Sequence, residues 1–318
     1  MRLDRLITLY LFRPLVRRRK PRGRRIPILM YHSVSDERES GHPYFWINAS
    51  PKRFTAHMKY LYDNNYHVIS LTEAVELIRS PNPVAVVVSS SKRETRNAKR
   101  GSSDPQSGTR NLVVLTFDDG YQDFYTHAFP VLQQYSFAAT VFLPTDFIGN
   151  GRPGLCCKEH LTWEEVRELA GQGITFGSHT CTHPQLHRVG PGEVHDELAR
   201  SHSAIAREIG ACYEFCYPYK FPEQDTRFAS TLSETLTSLG YSCCLTTRIG
   251  VDHEAGDLFA LKRIPINSGD DLIFFDAKLN GAYDWLYSFQ SIVKRIRERS
   301  KPHLIIEKRP VAANQPRN

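Results

Sequence analysis

Two short stretches of this chain carry residue types that do chemistry when they meet. The first is LVVLTFDDGY, Leu112 to Tyr121, in which an apolar run ends in the adjacent carboxylates of Asp118 and Asp119. The second is GSHTCTHPQL, Gly177 to Leu186, which sets His179 and His183 four residues apart. Two imidazoles at that spacing can hold one metal ion if the loop makes a single turn between them, and one carboxylate would complete a two-His, one-Asp set with a position open for water. A further carboxylate beside that water could take its proton. Read separately, each stretch has a plain alternative: a solvated Asp-Gly turn, or a chance spacing among 13 histidines. Read together, they point to metal-assisted hydrolysis.

The two stretches serve one another only if the fold brings them to one edge. Leu112 to Phe117 has the unbroken apolar character of a strand buried on both faces, and Ile174 to Gly177 reads as a strand directly before His179. Further strands are predicted at Ile26 to Tyr31 (closed by His32), Ala138 to Leu143, Tyr213 to Tyr217, Tyr241 to Thr246 and Lys262 to Ile266. Helices are predicted between them. They cover about Pro51 to Asn64, a capping-box start at Ser70 to about Arg79, a segment opened by Pro130, and a segment capped by Thr162 that stops at Gly171. The others are Pro191 to Ile209, Thr226 to Leu239 and Asp271 to Leu279. This alternation predicts one α/β domain with a mainly parallel sheet or barrel, whose strand ends gather ligands on one edge.

Composition bounds the rest. A chain of 318 residues with 41% hydrophobic content can bury one large core, and no apolar run approaches the ~18 residues that span a bilayer. The first 25 residues hold ten Lys/Arg against Asp4 alone, a local +9, whereas the remainder holds 31 basic against 33 acidic residues. Basicity therefore belongs to a leader, and the folded body is not read as a nucleic-acid binder. Leu6 to Val16 followed by the basic run Arg17 to Arg25 reverses the order of a secretory signal. It suits an amphipathic anchor on an anionic membrane surface or a disordered leader, with residence in the cytoplasm or on the inner membrane face. Val84 to Val88 could be a strand, but the following segment has hardly an apolar residue and is expected to be a mobile insertion. Seven cysteines with no CxxC fit free thiols. The expected division is a leader at 1–25, a domain at 26–290 with an insertion at 89–110, and a polar tail at 291–318.

TFDDGY, HTCTH and FCYPY together resemble the polysaccharide deacetylase family, also called the NodB-homology domain or carbohydrate esterase family four, from about Pro27 to Trp285. The resemblance implies a single-domain, distorted (β/α) barrel that holds one divalent metal ion and removes acyl groups from N-acylated sugars. It implies Asp118 as general base and Asp119, His179 and His183 as metal ligands. Zinc is the default for such a set, which also accepts iron, cobalt or nickel. The third motif implies the backbone N–H of Tyr219, after Pro218, as an oxyanion donor.

Several positions depart from the family pattern. Many members carry an arginine two residues before the motif-three proline, where this chain has Cys216. In a subset of the family a later arginine serves instead, which implies Arg263; an exposed basic residue at a strand end is the alternative. No fifth-motif histidine follows Arg263, and His303 lies in the tail, so the general acid is unassigned, with His253 and a metal-bound water as options. His32, Tyr121, Pro218 and Leu186 are expected at the substrate cleft, and Tyr283 and Trp285 are expected to pack. His127, His160, His187, His195 and His202 read as surface residues. The function expected is N-deacetylation of amino-sugar residues in a bacterial polysaccharide or its precursor. The alternatives are a catalytically impaired glycan-binding relative in exopolysaccharide assembly and a hydrolase of a small non-sugar amide.

Overall fold

Leu29 marks the place where the sheet closes on itself. In strand β1 (Ile28–Tyr31) it lies beside Leu115 on one side and Ile264 on the other. The computed structural model describes residues 2–17, 25–79, 111–149, 155–251 and 256–287. Ahead of β1 stand helices α1 (Leu3–Ile7) and α2 (Arg13–Arg17), joined by a π-helical turn. After β1 come β2 (Ser33–Val34), β3 (Asn48–Ala49), α3 (Pro51–Asp63), β4 (His67–Val68), α4 (Leu71–Arg79), β5 (Leu112–Phe117), α5 (Phe129–Tyr135) and β6 (Thr140–Leu143). Then follow α6 (Trp163–Gly171), β7 (Thr175–Ser178), α7 (Pro191–Ile209), β8 (Glu214–Cys216), α8 (Thr226–Ser238), β9 (Cys243–Ile249), β10 (Leu261–Pro265) and α9 (Leu272–Leu279).

The ring runs β1, β5, β6, β7, β8, β9, β10 and back to β1, and every pairing in it is parallel. This is the expected (β/α) barrel, with seven strands. β4 pairs with Leu112 and Val113, just before the part of β5 that β1 takes up. β2 and β3 form a separate pair. These two-residue strands were not foreseen, because so short a segment shows no periodicity. β5 lies at its expected limits, and the other barrel strands begin or end one to three residues from theirs, as hydrogen-bond register rather than hydrophobicity sets a strand's end.

The local causes are conventional. All six residues of β5 are buried, as a parallel strand covered on both faces requires. Ser50 caps α3 ahead of Pro51, Thr162 and Glu165 form a capping box on α6, and Gly210 ends α7 at φ 87°. Gly177 is fixed by space: a Cβ there would stand 2.5 Å from the Phe142 ring and 2.7 Å from the Glu214 carbonyl.

The segment expected as a separate leader is partly built into the body. Arg2 donates to Asp270 at 3.0 Å, Arg13 donates to Asp276 at 2.7 Å, and the Phe12 ring stacks on Trp285 at 5.2 Å. Tyr283 is buried and donates to Asp4 at 2.9 Å, so it packs, as does Trp285. The insertion at 89–110, Val84 to Val88, residues 18–24, the tail, His253 and His303 lie outside the described residues.

Candidate active site

Because the ring is parallel, all its strand ends share one edge. His32 follows β1, Asp118 and Asp119 follow β5, His179 follows β7, and Tyr217 to Tyr219 follow β8. The edge is stitched by main-chain bonds between neighbours: Asp118 N–H to the Tyr31 carbonyl at 3.0 Å and His179 N–H to the Leu143 carbonyl at 2.9 Å. The two sequence stretches therefore meet.

Three donor atoms converge there. Asp119 Oδ1 lies 3.5 Å from His179 Nε2 and 3.4 Å from His183 Nε2, and the two Nε2 atoms are 3.2 Å apart. Ligands about 2.0–2.2 Å from a tetrahedral ion stand roughly 3.3–3.5 Å from each other, so the triangle has the size a divalent metal needs. His179 Nδ1 lies 2.7 Å from the Cys216 carbonyl, an acceptor, so Nδ1 carries the proton and Nε2 presents its lone pair to the triangle. Asp119 Oδ1 is buried with no hydrogen-bond donor among the described residues. A buried carboxylate oxygen without a donor, facing the imidazole lone pair of His179 and a second imidazole, suits a cation, so these residues fit a metal. Asp118, His179 and Cys216 also lie close together. That set does not fit, because both Asp118 oxygens are taken by Arg263 and burial raises the Cys216 thiol far above its ordinary pKa.

Arg263 donates from Nη1 to Asp118 Oδ1 at 2.6 Å and from Nη2 to Oδ2 at 2.7 Å, with Nε on the Thr246 carbonyl at 3.0 Å. Its exposure is 1%, so it is not a surface residue. Burial alone would raise the Asp118 carboxyl, but the guanidinium holds it well below the usual carboxylate range. Burial lifts Asp119 instead, to about 6, against the pull of His179. Burial and then His179 push His183 down. A cation in the triangle would favour the ligand-competent forms, carboxylate and neutral imidazole.

The remaining expected residues fall into two groups. His32 is half-buried, with Nε2 3.8 Å from Asp118 Oδ2. Half of the Tyr219 surface is exposed, and its ring centroid lies 4.5 Å from that of His183. Cys216 occupies the interior beside the base, its thiol 3.6 Å from Asp118 Oδ1. Tyr121, Pro218 and Leu186, expected to line the cleft, are buried. Leu186 belongs to the hydrophobic core, and the Tyr121 ring packs on His160.

Two functional positions were not foreseen. His160, read as a surface residue, is partly buried. Its Nδ1 donates to the Asp119 carbonyl at 2.8 Å, and its Nε2 accepts from the Leu155 N–H at 3.0 Å. Glu197, from α7, accepts from the N–H groups of Cys181 at 2.7 Å and Thr182 at 2.9 Å and from the Thr182 hydroxyl at 2.8 Å, clamping the turn between the two ligand histidines. Such holds are needed: of seven non-glycine residues with positive φ among the described residues, Asp119, Thr180, His183 and Tyr219 are four. No motif spacing could have revealed either residue. A signal existed only for His160, as a polar residue next to a predicted helix cap.

A parallel barrel with a two-His, one-Asp donor set and an arginine-held aspartate at the strand ends defines the class, a barrel hydrolase with a candidate metal site. Residues 106–242 match the family model of polysaccharide deacetylase. The chain is 29% identical over 252 residues to YxkH of Bacillus subtilis (strain 168), whose name places it among the polysaccharide deacetylases, covering 77% of this chain and 72% of that one. It is 29% identical over 161 residues to the poly-beta-1,6-N-acetyl-D-glucosamine N-deacetylase of Escherichia coli (strain K12), covering 48% of this chain and only 20% of that protein. The Streptococcus pyogenes deacetylase PplD, solved with acetate, shares the fold at TM-score 0.59 and 22% identity, covering 83% of this chain and 98% of that one.

Proposed function

We propose that this protein is a metal-dependent hydrolase that removes N-acetyl groups from amino-sugar residues of a bacterial polysaccharide or its precursor. The observation that carries the reading is the pairing of a metal-sized donor triangle with a second carboxylate held ionised beside it. A polymer of N-acetylglucosamine type is favoured because the Escherichia coli relative is named for one.

Asp119, His179 and His183 would hold one divalent ion, by default zinc, which when bound polarises an amide carbonyl and makes water acidic enough to attack it. Asp118 takes the proton of the attacking water, and Arg263 keeps that carboxylate charged and aligned. Oxygen from water joins the acyl carbon while the C–N bond breaks. The charge that gathers on the carbonyl oxygen is met by the Tyr219 backbone N–H. The departing nitrogen needs a proton, and His32 is placed to give it, being the imidazole outside the ligand set at 3.8 Å from Asp118. Acetate and a free amino sugar result. Through the basic leader the protein would also meet a membrane surface, from the cytoplasm or the inner face.

Acetate release from chitooligosaccharides or poly-N-acetylglucosamine tests this, with metal-loaded wild type compared against Asp118→Asn. Release by the wild type alone is expected. Equal release from both would remove Asp118 from the mechanism, and none from either, with metal bound, would favour a glycan-binding relative.

A further inference from the structure

The helical segment at residues 3–17 meets the body through its charges together with Leu9 and Phe12, and leaves other apolar side chains facing outward. Arg2 bonds Asp270, Arg5 pairs with Asp271, Arg13 bonds Asp276, Asp4 accepts from Tyr283, and Thr8 accepts from the Trp285 indole N–H at 3.0 Å. On the outward side Leu3 is 66% exposed, Tyr10 78%, Leu11 55% and Leu15 45%. The π-helical turn at Thr8–Phe12 interrupts the α-helical repeat, so Leu11 and Leu15 face outward although Asp4 and Thr8, each seven residues earlier, face the barrel. A helix on a globular protein buries its apolar side chains; this one partly buries Leu9 and Phe12 but leaves this second apolar set uncovered by the described residues.

The apolar surface continues beyond the helix. Asp271, bound to Arg5, is followed by the exposed Leu272 and Ile273. Asn267 donates to the carbonyls of Pro43 and Trp46, at 2.9 Å each, and so fixes the loop that carries the exposed Phe45. All of these flank the connection from β10 to α9, which leaves the same barrel edge as the donor triangle.

Charge identifies the occupant. Arg2, Arg5, Arg13 and Arg25 are engaged by carboxylates of the protein. Arg17, Arg18, Arg19, Lys20, Arg22 and Arg24 follow the exposed apolar set directly in sequence, whereas the chain beyond residue 25 carries a small acidic excess. Apolar residues beside a basic run complement an acyl boundary beneath anionic headgroups. No helix among the described residues is long and apolar enough to cross a membrane.

We infer that this face docks on an anionic lipid bilayer, with Leu3, Tyr10, Leu11 and Leu15 lying in the headgroup boundary beside Leu272, Ile273 and Phe45. This deepens the membrane contact of the function proposed above, and lipid binding is measured without any deacetylation. The site edge would then stand next to the bilayer, where a membrane-bound glycan chain is within reach.

The test is co-sedimentation of the full chain with vesicles of phosphatidylcholine alone or mixed with phosphatidylglycerol. The wild type should bind only the mixed vesicles and release in high salt. Leu11→Glu/Leu15→Glu should lose about tenfold or more in vesicle affinity, and keep the wild-type melting temperature and acetate release from a soluble oligosaccharide. Equal binding by variant and wild type, or no binding to mixed vesicles, would overturn the inference. So would a lipid-free dimer that the double variant turns into a monomer, which would assign the exposed apolar set to a second copy. Loss of acetate release by Asp118→Asn with lipid binding intact separates this inference from the catalytic reading.

Discussion

Asp118 at the end of β5 and Arg263 inside β10 face each other in a two-point contact of 2.6 and 2.7 Å, both side chains withdrawn from water. A charged pair so placed is costly to break, because the survivor is left buried and alone. Arg263→Lys keeps the charge and loses the fork. It should lower kcat by roughly 10- to 100-fold. It should also move the acid limb of the pH–rate profile upward, since a carboxylate less stabilised in its ionised form takes up protons at higher pH. A fall in rate with an unmoved acid limb would count against the role assigned to Arg263.

The ligand set is checked by metal content. Asp119→Ala and His183→Ala should each lower zinc affinity by about 100-fold or more and dialyse metal-free, whereas Asp118→Asn should retain one ion per chain. Removing metal from the wild type with a chelator should lower the melting temperature, because an ion bound only by the folded state stabilises it. Calorimetric titration and elemental analysis would show this.

His160 holds the Asp119 carbonyl while that residue sits at φ 69°. His160→Phe should weaken metal binding about 10- to 100-fold, as loss of an outer hydrogen bond to a ligand residue does. Unchanged affinity would reduce His160 to packing.

Glu197→Ala would leave the buried Cys181 N–H without its acceptor. A destabilisation of about 2–3 kcal/mol is expected, read from urea unfolding. Metal affinity should fall with it, because the same carboxylate fixes the turn between His179 and His183.

His57 supplies a pH dependence away from the site. It is fully buried, stacks on Phe275 at 4.1 Å, accepts from Tyr31 at 3.1 Å and donates to the Asp270 carbonyl at 2.7 Å. Burial lowers its pKa to about 4. The unfolded chain therefore takes up this proton first, near the ordinary value of about 6.5, and the folded protein refuses it until about 4. Stability should be fully present above about 6.5 and fall by up to ~1.4 kcal/mol per pH unit as pH drops through that window. His57→Gln should flatten this slope in urea titrations.

How much of this was legible varies by residue. β5 and β7 could be read because buried parallel strands leave apolar runs, and Asp118, Asp119, His179 and His183 because they stand where those runs stop. Arg263 was ambiguous: a strand-end arginine gives no sign of whether it points into the barrel, and only its contacts with Asp118 in the folded chain settle that. His32 was placed at the cleft but not beside the base, since nothing in a strand's own residues states which strand lies next to it. Glu197 and His160 act from other segments on main-chain atoms, which any sequence possesses, so no motif spacing marks them, and only the nearby helix cap hinted at His160.

The ring closure at Leu29 has a bearing on biosynthesis. The strand that carries Arg263 is the last of the ring in sequence and pairs with the first, so a polypeptide still emerging from the ribosome holds Asp118 before its partner has been made. The proposed base would thus gain its guanidinium only with the final strand of the barrel.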